Sequence, residues 1–123
     1  AKNGSIVNIA SVVGLKGVAY MSAYGAAKAG LINFSRASAI EAAPYVRVNC
    51  IIPGAVLTPA TKRAIPNDDL LEATKNAIPL KRIAEPIELA RPILFLLSSD
   101  ASFITAASLV VDGGKTGDLN AGN

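Results

Sequence analysis

Apolar positions in this chain change period from segment to segment, and those changes predict its elements. Residues 5–11 (SIVNIAS) are a short β-branched apolar run, the pattern of a strand. The glycine-containing stretch VVGLKGVAYM separates it from residues 23–43, an alanine-rich run that stops before Pro44 and predicts a long helix with Ser22 as N-cap. Residues 46–52 (VRVNCII) are almost continuously apolar and end at Pro53-Gly54, as a strand with both sheet faces covered should. From Thr58 to Pro79 the chain turns polar, and NDDLLEATKNAI within that stretch predicts an amphipathic helix capped by Asn67. Residues 85–99 predict another helix, with Pro86 suited to its start and Pro92 expected to bend it. Residues 108–114 (SLVVDGG) read as a last strand with a Gly-Gly exit, and KTGDLNAGN after it as a loose tail.

The series is β-α-β-α-β, whose natural arrangement is a parallel sheet joined by right-handed crossovers. The predicted class is α/β: three strands with long crossover helices, part of a doubly wound sheet. Three strands leave apolar edges open, so the chain reads as half of a domain. The excursion at 57–79 is too long for a plain connector and is expected to form a lid over a site.

Composition narrows the chemistry. At 51% hydrophobic and 17% charged residues the chain is globular rather than disordered. Its longest strongly apolar stretches, CIIPGAVL and ILFLL, are too short to cross a bilayer. The start AKNGS has no apolar leader and no initiating Met, so no signal peptide is expected; the single cysteine fits a reducing compartment, and a cytoplasmic location is expected. The 12 Lys and Arg residues are scattered, so no nucleic-acid footprint is expected. One cysteine, Cys50, rules out an internal disulfide and reads as a small buried strand residue. The absence of histidine removes Ser-His-Asp and Cys-His hydrolases and the usual zinc sites, and no metal site is expected. GGKTG at 113–117 is not a phosphate-binding loop, because that motif requires glycine where Leu109 stands.

The stretch SAYGAAKAG holds the candidate chemistry. Tyr24 and Lys28, four apart, share one helix face. An ammonium near a phenol favours the phenolate, and the positive end of the helix dipole acts the same way on a first-turn tyrosine. Such a phenol can serve as a general acid or base, although packing at a helix start explains a lone Tyr–Lys pair as well. Ser11 ends the first strand at the carboxyl edge where open α/β sheets bind ligands, or simply caps the strand end. Pro53-Gly54, after the next strand, allows a backbone to approach a flat ligand, or simply ends the strand.

Together GSIVNIAS, YGAAK, VRVNCIIPGAVLTP and SLVVDGG resemble the short-chain dehydrogenase/reductase family over nearly the whole chain. The resemblance implies a Rossmann-like fold, of which residues 1–123 are the C-terminal half with the first four strands absent. It implies NAD or NADP as cofactor and a small-molecule carbonyl/alcohol substrate. It makes Tyr24 the catalytic acid/base, Lys28 the residue that favours its phenolate and binds the nicotinamide ribose, and Ser11 the residue that orients the substrate oxygen. Pro53, Gly54, Val56 and Thr58 would line the nicotinamide end, and residues 57–79 would form the substrate loop. Full-length members commonly form homodimers or homotetramers; buried core explains the small apolar helix face equally well. This sequence departs from the pattern in several places. It has no G-x-x-x-G-x-G turn and no Asn-Asn-Ala-Gly motif, and Ala106 stands where the family usually has glycine. The alternative function is a catalytically silent fragment stabilised by association with another chain.

Overall fold

The computed structural model describes residues 3–120. The elements are β1 (Gly4–Ile9), α1 (Ser22–Ala42), β2 (Val46–Pro53), α2 (Pro59–Ala64), α3 (Asp68–Asn76), α4 (Pro86–Leu97) and β3 (Ser108–Val111). Short 3₁₀ turns lie at Val12–Gly14, Ser99–Ala101 and Lys115–Gly117. The strands form one parallel sheet in the order β1-β2-β3, with Ile6 opposite Val48 and Cys50 opposite Ser108. This is the expected α/β arrangement. Among the described residues no helix is long and apolar enough to cross a membrane.

Strand periodicity builds the core. Successive side chains of β2 point to opposite faces, so Cys50 and Ile52 pack with Ala10 and Ile32, while Ile51 packs with Leu89, Leu96 and Ala101. Ile32 belongs to α1, and Leu89 and Leu96 to α4, so the two helices cover opposite faces of the sheet. β2 is buried from Val48 to Ile52, as its nearly continuous apolar run predicts. Burial also pushes the Cys50 thiol up from its ordinary pKa, keeping it neutral in the core.

Ser11, Ser35 and Asn49 are polar residues buried among the described residues, and Asn49 is the one on β2. Asn49 is fully buried, and its side chain accepts from the Ala107 N–H (2.9 Å) and donates to the Ile104 carbonyl (2.9 Å). It thereby fastens the turn that leads into β3. Arg47 donates to the carbonyls of Ile104 and Ser98, reinforcing the same turn.

The boundaries differ from expectation in instructive places. Met21, not Ser22, occupies the N-cap of α1 and provides no side-chain bond; Ser22 is already helical. β1 stops at Ile9, and Ser11 instead caps the following 3₁₀ turn. β3 stops at Val111, because Asp112 turns the chain through Gly113 and Gly114 at φ +67° and +92°. Asp112 then accepts from the N–H groups of Gly114 and Thr116 and from Thr116 Oγ1, so residues 115–117 are a held turn and not a loose tail. The last three residues of the expected tail, 121–123, lie outside the described residues. α4 runs unbroken through Pro92, since Leu89, Ile93 and Leu96 pack on the sheet around the missing bond. Asn67 caps α3 as expected, its Oδ1 accepting from the Leu70 N–H at 2.9 Å.

Candidate active site

Because all three strands are parallel, their carboxyl ends meet at one sheet edge. β1 delivers Ser11 there, β2 delivers Pro53-Gly54, and β3 delivers Asp112. Helix α1 starts at the same edge, with Tyr24 as its third residue.

Tyr24 is 45% exposed. The Lys28 ammonium lies 5.6 Å from the centroid of its ring, the i, i+4 neighbour position on the helix. The same Nζ donates to the Ile9 carbonyl at 3.0 Å, the last residue of β1 and two before Ser11. Lys28 thus ties the first turns of α1 to the strand end that carries the serine.

Ser11 is only 9% exposed. Its Oγ accepts from the Val13 N–H (3.2 Å), and its carbonyl accepts from the Gly14 N–H (2.9 Å). Upstream, the Ala10 N–H donates to the Ile51 carbonyl, so the strand end is fixed on β2. A serine hydroxyl has one donor and two acceptor positions. With an N–H occupying one acceptor position, its O–H remains able to donate to another oxygen.

The Pro53–Thr58 segment has structural duties of its own. A Cβ on Gly54 would meet Asp112 Cβ at 2.8 Å and Cα at 3.0 Å, and the Gly54 N–H donates to the Val111 carbonyl (3.0 Å). Close approach of the β3 exit therefore requires glycine here, whatever a ligand requires. Val56 packs against the Ile51–Leu89 cluster and bridges to Ala84, and Thr58 caps α2 by accepting from the Thr61 N–H at 3.2 Å. All of these residues sit at or past the carboxyl end of β2.

Residues 57–79 contain two helices, α2 and α3, where one was expected. The excursion has fastened feet. The Leu57 N–H donates to Ala84, the Ala84 N–H to Ala55, and the Leu80 N–H to Gly113. Beyond the second foot, both terminal nitrogens of Arg82 hold Glu88 at 2.6 Å. That guanidinium, with the Glu85 N–H, lowers the Glu88 carboxyl to about 2. Partial burial raises Asp112, but hydrogen bonds from Thr116, Gly114 and Lys115 outweigh this and leave it below its ordinary value.

Ser11, Tyr24 and Lys28 thus come from two adjoining segments at one edge, joined through Ile9. Gly14, which the sequence motifs do not single out, lies with its backbone directly on α1: a Cβ there would meet Ala29 N and the Lys28 carbonyl carbon at 2.8 Å. The available signal was a glycine shortly after Ser11. Nothing in the chain alone says what such a glycine faces.

The family model described as enoyl-(acyl carrier protein) reductase matches residues 1–116. The chain is 45% identical over 115 residues to 3-oxoacyl-(acyl-carrier-protein) reductase FabG of Chlamydia trachomatis, covering 93% of this chain and 46% of that protein. A short-chain dehydrogenase/reductase from Brucella melitensis, described as a glucose/ribitol dehydrogenase, superimposes with a TM-score of 0.86 at 36% identity, covering 92% of this chain and 46% of that one. A gluconate 5-dehydrogenase from Burkholderia cenocepacia, solved with NADP and tartrate, gives 0.89 at 26% identity over 96% of this chain and 47% of its own. The chain spans about half the length of the curated relatives it matches. With the parallel fold and the family match over residues 1–116 in agreement, the chain belongs to the short-chain dehydrogenase/reductase family.

Proposed function

We propose that this chain is the C-terminal half of an oxidoreductase that interconverts a carbonyl and an alcohol with NAD or NADP. The observation that carries the reading is the placement of Lys28, between the Tyr24 ring and the Ile9 carbonyl beside Ser11. In carbonyl reduction the Tyr24 phenol gives its proton to the substrate oxygen; in alcohol oxidation the phenolate takes it back. The ammonium of Lys28 and the positive end of the α1 dipole stabilise the negative charge that develops on the phenol oxygen. The Ser11 O–H donates to the same substrate oxygen and orients it.

The edge suits the nicotinamide–ribose end of the cofactor. Lys28 has three N–H donors and spends one on Ile9, which leaves two for ribose hydroxyls. Pro53, Gly54, Val56 and Thr58 would line that end. The bound nicotinamide supplies the hydride chemistry. The chain has no glycine-rich turn for the pyrophosphate, so that half of the cofactor belongs to residues outside it. The excursion at 57–79 would close over a small-molecule substrate. Phe34 and Ile40, exposed on α1, would be covered in a homodimer or homotetramer.

The test is Tyr24→Phe in the full-length protein, assayed on a panel of 3-oxoacyl thioesters and sugar alcohols. Loss of the hydroxyl is expected to lower kcat by roughly 10²- to 10⁴-fold with nicotinamide binding retained. Activity that survives Tyr24→Phe would sink the assignment. One observation favours a second reading: β1 is an outer strand with Ile6 and Ile9 exposed. A catalytically silent chain would pair this edge with another chain. Turnover by purified protein that contains residues 1–123 rules out that reading.

A further inference from the structure

We infer that Gly14 is a positioning residue for the Ser11–Tyr24–Lys28 set, an inference that rests on the functional reading above. The 3₁₀ turn Val12–Gly14 lies against the first turns of α1 at two glycines. At Gly14, a Cβ would sit 2.8 Å from Ala29 N, 2.8 Å from Lys28 C and 3.1 Å from Lys28 Cβ. Two of those atoms are backbone of a regular helix and cannot swing aside, so the turn itself would have to lift. At Gly25, next to Tyr24 in the chain, a Cβ would meet the Val13 carbonyl oxygen at a milder 3.1 Å.

Such a lift reaches Ser11 through two bonds. The Gly14 N–H is bonded to the Ser11 carbonyl and the Val13 N–H to Ser11 Oγ, so the serine hydroxyl takes its position from this turn. Its other side is held, since Ala10 is bonded to Ile51 and Lys28 to Ile9. A raised turn therefore moves Ser11 relative to Tyr24 and Lys28 while the sheet and α1 stay in place. Gly14 acts only through Ser11. Its lack of a side chain sets the spacing between the hydroxyl that orients the oxygen and the phenol that moves the proton.

The experiment compares Gly14→Ala, Gly25→Ala and Gly17→Ala in the full-length enzyme; a Cβ at Gly17 meets nothing within 4 Å. Misplacement of the serine predicts a kcat loss of roughly 10- to 100-fold for Gly14→Ala, with nicotinamide affinity within about twofold of wild type. Gly25→Ala is expected to lose about threefold or more in kcat while its melting temperature rises, because alanine is the better helix former. Opposite movements of rate and stability are not what a merely structural contact produces. Gly17→Ala is expected to keep wild-type kcat. Wild-type kcat in Gly14→Ala, or a parallel loss of nicotinamide binding, overturns the inference. If Gly14→Ala does not fold, Gly25→Ala decides, and wild-type kcat there overturns it. An enzyme that Tyr24→Phe inactivates but Gly14→Ala does not refutes this inference alone; one that survives Tyr24→Phe refutes the functional reading.

Discussion

Ala106 holds a φ of +60°, in the left-handed region where a Cβ crowds the following carbonyl oxygen. It stays there because its N–H donates to the Val48 carbonyl at 2.8 Å, which locks the turn onto β2. The usual glycine of the family pattern therefore has a backbone reason at this position. Ala106→Gly should remove a strain of about 1–2 kcal/mol and return part of it as unfolded-chain entropy. The net expectation is about 0.5–1 kcal/mol of stabilisation, read as a higher urea midpoint at unchanged slope. An unchanged or lower midpoint would mean that the turn already absorbs the strain. Asn49 makes a complementary point, since a polar residue inside an apolar run persists because both ends of its amide are satisfied.

Between elements, the connection from the 57–79 excursion into α4 is set by charge. Arg82 holds Glu88 in the first turn of α4, and Asp112 closes the turn after β3. Both carboxyls have folded-state pKa values below their ordinary ones, Glu88 at about 2. A lowered pKa means that the unfolded chain binds the proton more readily. The stabilisation is therefore complete above the ordinary carboxylate range and is lost as pH falls through it towards about 2. The unfolding midpoint should drop across that window, and Glu88→Gln should make the drop shallower. A variant with the wild-type pH profile would show that the ion pair is screened out by solvent, as exposed pairs often are.

At the scale of the molecule, three parallel strands carry the proposed proton-transfer residues but no glycine-rich phosphate-binding turn. The 123-residue chain on its own is therefore expected to leave nicotinamide fluorescence unchanged in titration, whereas the full-length protein should alter it. Micromolar binding by the isolated chain would place the pyrophosphate site within these residues and overturn the division of labour. The outer position of β1, with Ile6 and Ile9 exposed, is consistent with a sheet that continues beyond it.

The apolar periods by themselves determined the three strands, the helices that cover them, the parallel class and the central burial of β2, because burial on two faces demands a nearly continuous apolar run, but they left α2 unread. The shared face of Tyr24 and Lys28 likewise follows from helix geometry alone. Ends of elements were less legible. Ser22 looks like a cap and Gly54 like room for a ligand, yet Met21 occupies the cap and Asp112 packs closely on the glycine. Caps and close approaches depend on what other segments bring near, and a linear chain does not state its neighbours. Only the tertiary structure joined Lys28 to Ile9, 19 positions away, and seated Gly14 on α1. Those long-range contacts decide where a serine hydroxyl stands relative to a phenol, and residue type alone does not encode that distance.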